Sequence, residues 1–169
     1  MRIFLIGFMG CGKTHWGKQL AALLKIPFID LDQKIEENER QTVSEIFSEN
    51  GEEYFRMAEK QMLDQMIDEN VSMVLSVGGG TPCFFNNIDL MKKKGTVVWL
   101  NTHVDLLLQR LLNGKQERPL IRDLSDHELK SYIVKKLNER KMYYEQANVV
   151  IDNESSITPS QFIQTILHA

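Results

Sequence analysis

The chain begins with residues 1–14, MRIFLIGFMGCGKT, and this stretch decides its fold. The apolar run at residues 2–6 is typical of a buried strand, and residues 7–14 match the pattern G-x-x-x-x-G-K-[ST]. Residues 13–24 have the apolar spacing of a helix. A strand, a glycine-rich turn and a helix in this order predict a phosphate-binding loop at the start of an α/β domain.

The residue types within this phosphate loop (residues 7–14) suit nucleotide phosphates. Glycines let the backbone turn tightly, so that successive N–H groups can point at phosphate oxygens. The Lys13 ammonium should reach the β- and γ-phosphates, and the Thr14 hydroxyl should bind Mg²⁺. His15 can contribute its backbone N–H, although a half-exposed helical histidine fits equally well. The expected ATP contacts are Gly10, Cys11, Gly12, Lys13, Thr14 and His15, with Cys11 mainly filling space.

The overall composition is that of an ordinary globular protein. The chain has 169 residues, 43% of them hydrophobic and 25% charged, and this length fits a single domain, residues 1–169. A net charge of −3 gives no reason to expect nucleic-acid binding, and two cysteines without ligand spacing indicate neither disulfides nor zinc. No apolar run approaches the ~18 residues that span a membrane. The N-terminal apolar run lacks a cleavage site, so we expect a cytoplasmic protein that binds no membrane.

Short apolar runs alternate with amphipathic stretches along the rest of the chain. A capping-box pattern at Thr42 and Glu45 marks a helix that should stop near Gly51. Alternating strands and helices predict parallel βαβ units and a three-layer α/β/α architecture. The expected strands are residues 2–6, 26–29, 72–77, 96–100 and 149–151. The expected helices are residues 13–24, 42–51, 52–69, one ending at Gly95, 106–112, 125–146 and one from residue 159.

Asp30 and Asp32 follow the second expected strand, at the sheet edge where α/β proteins bind ligands. In extended backbone, residues two apart point to the same side. One carboxylate could then hold Mg²⁺ through water while the other accepts a hydrogen bond from an acceptor hydroxyl. The alternative is that Asp32 is only the N-cap of the next helix.

Two arginines lie on or beside helix faces that are otherwise apolar. Arg140 falls on the inward stripe of the helix from residue 125, and a buried guanidinium needs a partner such as a carboxylate ligand. Arg56 lies at the edge of another apolar face, one turn from Glu59, so an internal Arg56–Glu59 pair is the alternative. Two arginines near the ligand end of the sheet indicate an acidic substrate. The stripe around Arg140 consists of Leu129, Ile133, Leu137 and Tyr144.

Two further segments complete the expected site. Gly78, Gly79 and Gly80 permit close approach of the backbone to a ligand, although a flexible turn would have the same composition. Residues 113–123, NGKQERPLIRD, are a candidate lid from which Arg118 could contact ATP and stabilise charge during phosphoryl transfer. A solvated surface loop would look much the same.

In order and approximate spacing, these motifs resemble those of the shikimate kinases. The resemblance covers residues 1 to about 151 and implies a five-stranded parallel sheet in the order 2-3-1-4-5. It also implies transfer of the ATP γ-phosphoryl group to the 3-hydroxyl of shikimate, in aromatic amino-acid synthesis. The motifs are GFMGCGKT, DLD at 30–32, FRMAE at 55–59, SVGGG at 76–80, ERPLI at 117–121 and R-x-x-x-Y at 140–144.

The resemblance also implies a role for individual residues. Asp32 would bind the acceptor hydroxyl and act in catalysis with Lys13 and Arg118, within a substrate-binding region at about residues 32–60. Thr14 would bind Mg²⁺ directly, and Asp30 would hold it through water. Shikimate would be bound by Asp32, Arg56, Gly79 and Arg140, with the arginines on its carboxylate. The run of three glycines adds Gly78 and Gly80 to this expected substrate site.

The chain departs from the family pattern at two places. His15 stands where a small hydroxyl residue is usual, and the segment DNESSITP near the carboxyl end lacks the basic residue that the adenine loop often carries. Backbone, packing and Arg110 would then hold adenine.

Other functions share parts of this pattern. A gluconate kinase would also have a phosphate loop and an acid-binding site, and a nucleoside monophosphate kinase would accept AMP. A regulatory module could bind the nucleotide without turnover. The combination of FRMAE with three glycines favours shikimate, and the presence of Lys13, Thr14, Asp32 and Arg118 favours catalysis. We therefore expect an enzyme that binds shikimate and ATP as a monomer.

Overall fold

The computed structural model describes residues 1–115, 121–152 and 158–167. These residues contain a five-stranded parallel sheet with the strand order β2-β3-β1-β4-β5, as the resemblance implied. The strands are β1 (Arg2–Ile6), β2 (Phe28–Asp30), β3 (Met73–Ser76), β4 (Thr96–Asn101) and β5 (Val149–Asp152). The helices are α1 (Lys13–Leu24), α2 (Leu31–Glu39), α3 (Val43–Glu69), α4 (Asn87–Lys94), α5 (Val104–Asn113), α6 (Asp126–Tyr144) and α7 (Pro159–Leu167).

Helices cover both faces of the sheet, which explains the almost continuous apolar sequence of the strands. Alternate residues of β1 point to opposite faces: Ile3 and Leu5 pack with α1, α5, α6 and α7, whereas Phe4 and Ile6 pack with α2, α3 and α4. The predicted three-layer architecture is therefore confirmed.

Local sequence explains where the long helices begin and bend. The Thr42 hydroxyl accepts from the Glu45 N–H at 3.2 Å, and the Glu45 carboxylate accepts from the Thr42 N–H at 2.7 Å, so the expected capping box starts α3. Ser125 and Glu128 make the same motif before α6. Gly51 has a left-handed φ of 83° and divides α3 into the two helical segments that the sequence predicted.

The second strand differs from its expected position. It spans Phe28–Asp30 rather than residues 26–29, and α2 begins directly after it. Asp30 is still extended (φ −104°, ψ 120°), and its carboxylate accepts from the Gln33 N–H at 3.4 Å. Asp30 is therefore the N-cap, and the alternative that Asp32 caps this helix is wrong because Asp32 already lies in its first turn.

No helix in the described part of the chain has the length and apolar character needed to span a membrane.

Candidate active site

The carboxyl ends of β1, β2 and β3 surround a cavity of about 480 Å³, at the edge where parallel sheets bind ligands. Most of the residues expected to bind ATP therefore share one cavity with both aspartates. The lining consists of Met9, Gly10, residues 12–15, Asp30, Asp32, residues 76–79 and Arg110.

The phosphate loop wraps around the ammonium group of Lys13. Gly12 takes a left-handed φ of 96°, which allows α1 to begin at Lys13 with its N-terminal N–H groups at the cavity. The Lys13 ammonium donates to the carbonyl oxygens of Gly7 at 2.8 Å and Phe8 at 3.1 Å. The positive end of α1 and this ammonium make the loop a site for anions.

Cys11 packs in the interior, whereas His15 and Arg110 line the cavity. Cys11 is fully buried, its N–H donates to the Phe8 carbonyl at 3.2 Å, and its side chain lies outside the cavity lining. His15 is exposed and lines the cavity, with its Nε2 atom 2.7 Å from Gln19 Nε2. Arg110 donates to the Gly10 carbonyl at 3.2 Å, which places a guanidinium beside the loop.

The surroundings of Asp32 disfavour the ionised form of its carboxyl group. Its Oδ1 atom is buried and has no hydrogen-bond partner within the described residues. Burial, followed by the negative charges of Glu59 and Asp30, raises the pKa of Asp32 to about 7, although the Lys13 ammonium opposes this rise. Near neutral pH the group therefore exchanges between its protonated and ionised forms.

Glu59 is a fully buried carboxylate at the site. The sequence indicated it only as a partner of Arg56. Its Oε1 accepts from the Thr81 hydroxyl at 2.5 Å, and its Oε2 accepts from Arg56 Nη1 at 2.9 Å. A sequence signal was available, because Glu59 follows Phe55 by four residues and precedes Met62 by three, on the buried apolar face of α3. A charged residue at such a position needs a buried partner.

The glycines at residues 78–80 are required by close packing, since none of them has a positive φ. A Cβ on Gly78 would lie 2.8 Å from Glu59 Oε1 and 3.0 Å from Asp32 Oδ1. The missing side chain thus lets two carboxylates approach the backbone at the end of β3. Their proximity to each other accounts for the influence of Glu59 on the pKa of Asp32.

The next two glycines each make room for one arginine. A Cβ on Gly79 would lie 2.9 Å from Arg140 Nη1, and a Cβ on Gly80 would lie 2.7 Å from Arg56 Nη2. The turn after β3 is therefore the place where both arginines meet the end of the sheet. We call Asp32, both arginines and residues 78–80 the acceptor side of the site.

The guanidinium of Arg56 is fixed by hydrogen bonds to two glutamates and by contacts with aromatic rings. Glu59 binds Nη1, and Glu52 Oε1 accepts from Nε at 3.3 Å and Nη2 at 3.2 Å. The internal Arg56–Glu59 pair offered as an alternative is therefore present, and it coexists with the contact to Gly80. The aromatic rings within 6 Å of the guanidinium carbon are Phe84 at 4.4 Å, Phe55 at 5.2 Å and Phe47 at 5.8 Å.

Arg140 lies on the inward stripe of α6, as predicted. It is half-buried, and its guanidinium carbon is 5.6 Å from the centre of the Phe8 ring. Its Nη1 atom and the Tyr144 hydroxyl both lie close to Gly79, since a Cβ there would be 2.9 Å from the first and 3.6 Å from the second. Arg118 and the central part of the expected lid, residues 116–120, lie outside the described residues.

The sheet order, the phosphate loop and its lysine define a P-loop kinase fold. The sequence model of the shikimate kinase family matches residues 9–169. The chain belongs to the shikimate kinase family.

Individual relatives agree with this family. A shikimate kinase of Bacteroides fragilis is 49% identical over 150 residues, covering 89% of this chain and 83% of that protein. A shikimate kinase of Azobacteroides pseudotrichonymphae is 46% identical over 149 residues, covering 88% of each chain. The predicted family and the predicted ATP-dependent shikimate kinase activity are thereby confirmed.

Solved structures agree as well. The crystal structure of shikimate kinase from Bacteroides thetaiotaomicron superimposes with a TM-score of 0.90 at 41% identity, covering 99% of this chain and 95% of that one. Shikimate kinase from Acinetobacter baumannii in complex with shikimate gives 0.85 at 34% identity, covering 99% and 90%. A deoxyadenosine kinase from M. mycoides, 16% identical with a TM-score of 0.62, shares the fold alone.

Proposed function

We propose that the acceptor side binds shikimate while residues 10–15 bind ATP, and that Asp32 receives the 3-hydroxyl that is phosphorylated. The observation that carries this proposal is the glycine turn at residues 78–80. Two carboxylates, of which Asp32 lines the cavity, and two guanidinium groups approach three consecutive glycines. This polarity matches a molecule with a carboxylate at one end and hydroxyls at the other.

Arg56 and Arg140 would bind the carboxylate of shikimate. A carboxylate prefers planar, charge-assisted hydrogen bonds from guanidinium groups, and two of them meet at Gly79 and Gly80. Glu59 and the three phenylalanines fix the Arg56 guanidinium before the substrate arrives, so little side-chain freedom remains to be lost on binding.

Asp32 would align the attacking hydroxyl. In its ionised form, the Oδ1 atom without a partner can accept the hydroxyl hydrogen bond, and a pKa of about 7 also suits the acceptance of a proton. The Lys13 ammonium would stabilise charge on the phosphoryl group as it moves between oxygens. Positioning and electrostatic stabilisation therefore account for most of the proposed rate enhancement.

Mg²⁺ fits the oxygen donors beside the phosphate loop. The Thr14 hydroxyl and the Asp30 carboxylate lie 3.4 Å apart at the cavity, and Mg²⁺ prefers oxygen ligands and keeps several waters. Thr14 would hold it directly and Asp30 through water. When bound, Mg²⁺ would neutralise phosphate charge.

Several expectations stay predictions: the single domain, the lid at residues 113–123 with Arg118, the monomer, the cytoplasmic location, and no binding to nucleic acid or membrane. The nucleotide contacts of Cys11 and His15 belong with them.

The test is a coupled assay of ADP release with ATP and Mg²⁺, in which shikimate, gluconate and AMP are offered in parallel. We expect turnover with shikimate. Arg140→Ala should raise the KM for shikimate by about 10²-fold, because the carboxylate of bound shikimate would lose a charged partner worth about 3 kcal/mol. Lys141→Ala is the control, since Lys141 is the exposed neighbour of Arg140 on α6 and its ammonium pairs with Glu145. A near-normal shikimate KM in Arg140→Ala would contradict the carboxylate assignment.

A further inference from the structure

Tyr144 is a buried tyrosine to which the proposed reaction assigns no role. It is the last residue of α6, it is fully buried, and its ring lies 5.7 Å from the ring of Trp99 in β4. A buried hydroxyl is costly unless it is hydrogen-bonded, so the partners of this hydroxyl indicate its purpose.

The Tyr144 hydroxyl lies between two groups on the acceptor side. It donates to the Gly79 carbonyl oxygen at 2.5 Å, across 65 residues of the chain. The Arg140 guanidinium lies beside this hydroxyl, because a Cβ on Gly79 would lie 2.9 Å from Arg140 Nη1 and 3.6 Å from the Tyr144 hydroxyl oxygen. Burial raises the pKa of the Tyr144 phenol, so the hydroxyl keeps its proton and remains a donor at neutral pH.

The position of Tyr144 on α6 and the planarity of the Gly79–Gly80 peptide determine what this hydroxyl can orient. Arg140 and Tyr144 are four residues apart, so both lie on one face of the last turn of α6. A trans peptide directs its N–H opposite to its C=O, and fixing the Gly79 carbonyl therefore also fixes the Gly80 N–H. One hydroxyl thus sets the direction of a backbone donor and lies against the guanidinium of Arg140.

We propose that Tyr144 is a positioning residue for the phosphate acceptor. Its hydroxyl holds Arg140 and the Gly79–Gly80 peptide in the arrangement that receives the carboxylate and a hydroxyl of shikimate. This inference rests on the acceptor side proposed above, and it adds a residue that need not touch the substrate. The Tyr144 hydroxyl donates to Gly79 and not to the phosphate loop, whose Phe8 ring faces Arg140, so shikimate binding should depend on Tyr144 far more than ATP binding.

Tyr144→Phe is the direct test, because it removes the hydroxyl and keeps the ring packed against Trp99. We expect the KM for shikimate to rise about tenfold, since the hydrogen bond to the Gly79 carbonyl and the contact with Arg140 are lost, while the KM for ATP changes less than about twofold. Tyr143→Phe makes the same chemical change at the neighbouring, half-buried residue and should leave both constants unaltered. Thermal unfolding of each variant reports any general loss of stability.

A double-mutant cycle with Arg140→Gln tests whether Tyr144 acts through Arg140. The combined rise in shikimate KM should be clearly smaller than the product of the two single effects. A double-mutant rise in shikimate KM equal to that product would overturn the proposal. So would a Tyr144→Phe protein whose shikimate KM does not rise, or whose KM values for shikimate and ATP rise equally. A Tyr144→Phe protein that does not fold would also overturn it, by assigning the hydroxyl to the fold.

The two proposals fail in different ways. If Arg140→Ala leaves the shikimate KM unchanged, the acceptor assignment itself is wrong. If Arg140→Ala raises that KM while Tyr144→Phe does not, only the role of Tyr144 is wrong.

Discussion

Replacing Asp32 with asparagine should stabilise the folded chain above neutral pH while removing most of its activity. The pKa of Asp32 rises from 3.8 to about 7, first because burial and then because the Glu59 charge disfavours the carboxylate. Between these two values the folded state binds more protons than the unfolded state. The free energy of unfolding of the unsubstituted chain therefore falls as the pH rises from about 4 to about 7.

The expected size follows from this shift. A rise of about 3 pKa units corresponds to about 4 kcal/mol of destabilisation, which is complete above pH 7. At pH 5, which is about one unit above the unfolded pKa of 3.8, only about a third of this destabilisation is present. The free energy of unfolding of Asp32→Asn, relative to the unsubstituted chain, should therefore grow by about 2 to 3 kcal/mol between pH 5 and pH 8.

The measurement is urea unfolding of the ligand-free protein, followed by circular dichroism at pH 5, 6, 7 and 8. Asp68→Asn, an exposed substitution on α3, should show no comparable pH dependence. In the unsubstituted enzyme kcat/KM should rise with pH through about 7, and Asp32→Asn should lower it at least about 10²-fold at pH 8. An asparagine variant that is less stable at pH 8, or whose advantage is the same at every pH, would refute the reasoning.

Three further substitutions test other contacts. Gly80→Ala should raise the shikimate KM about tenfold and leave the ATP KM unchanged, because the new Cβ would lie 2.7 Å from Arg56 Nη2; steady-state kinetics measure both. Glu52→Gln should lower the shikimate KM about two- to threefold at low salt, because the negative charge of the Glu52 carboxylate beside Arg56 disfavours an anionic ligand. Glu53→Gln is its control, and a raised KM in Glu52→Gln would contradict this expectation. Thr42→Ala should cost about 1 kcal/mol in urea unfolding through loss of the α3 cap, with kcat unchanged; a lower kcat would link the cap to the site.

The nucleotide half of the site could be predicted from sequence because its signals are local. The phosphate loop needs glycines, a lysine and a threonine at fixed spacing between a strand and a helix, and residues 7–14 supply all of them. The capping residue Thr42 and the left-handed Gly51 likewise act within one or two turns of chain. The sheet order is not a local property, and it came from the resemblance to a known family.

The acceptor half could be predicted only as a list of residues. Sequence placed Asp32 beside the sheet, but the exact end of β2 decides whether an aspartate caps α2, and apolar patterning does not fix that boundary. The pairing of Gly79 with Arg140 and of Gly80 with Arg56 joins segments far apart in the chain. The same holds for the hydrogen bond from Tyr144 to Gly79. Such contacts follow from the packing of the helices against the sheet, which a single sequence does not specify.

The two tryptophans of this chain give each half of the site its own fluorescent reporter. Trp16 follows the phosphate loop by two residues and stacks on Phe162, with ring centroids 4.4 Å apart. Trp99 contacts Tyr144, whose hydroxyl is bonded to Gly79. Emission from single-tryptophan proteins, made with Trp16→Phe or Trp99→Phe, would therefore follow nucleotide and acceptor binding separately. The order in which the two substrates bind then becomes accessible by stopped-flow spectroscopy, without attaching a dye.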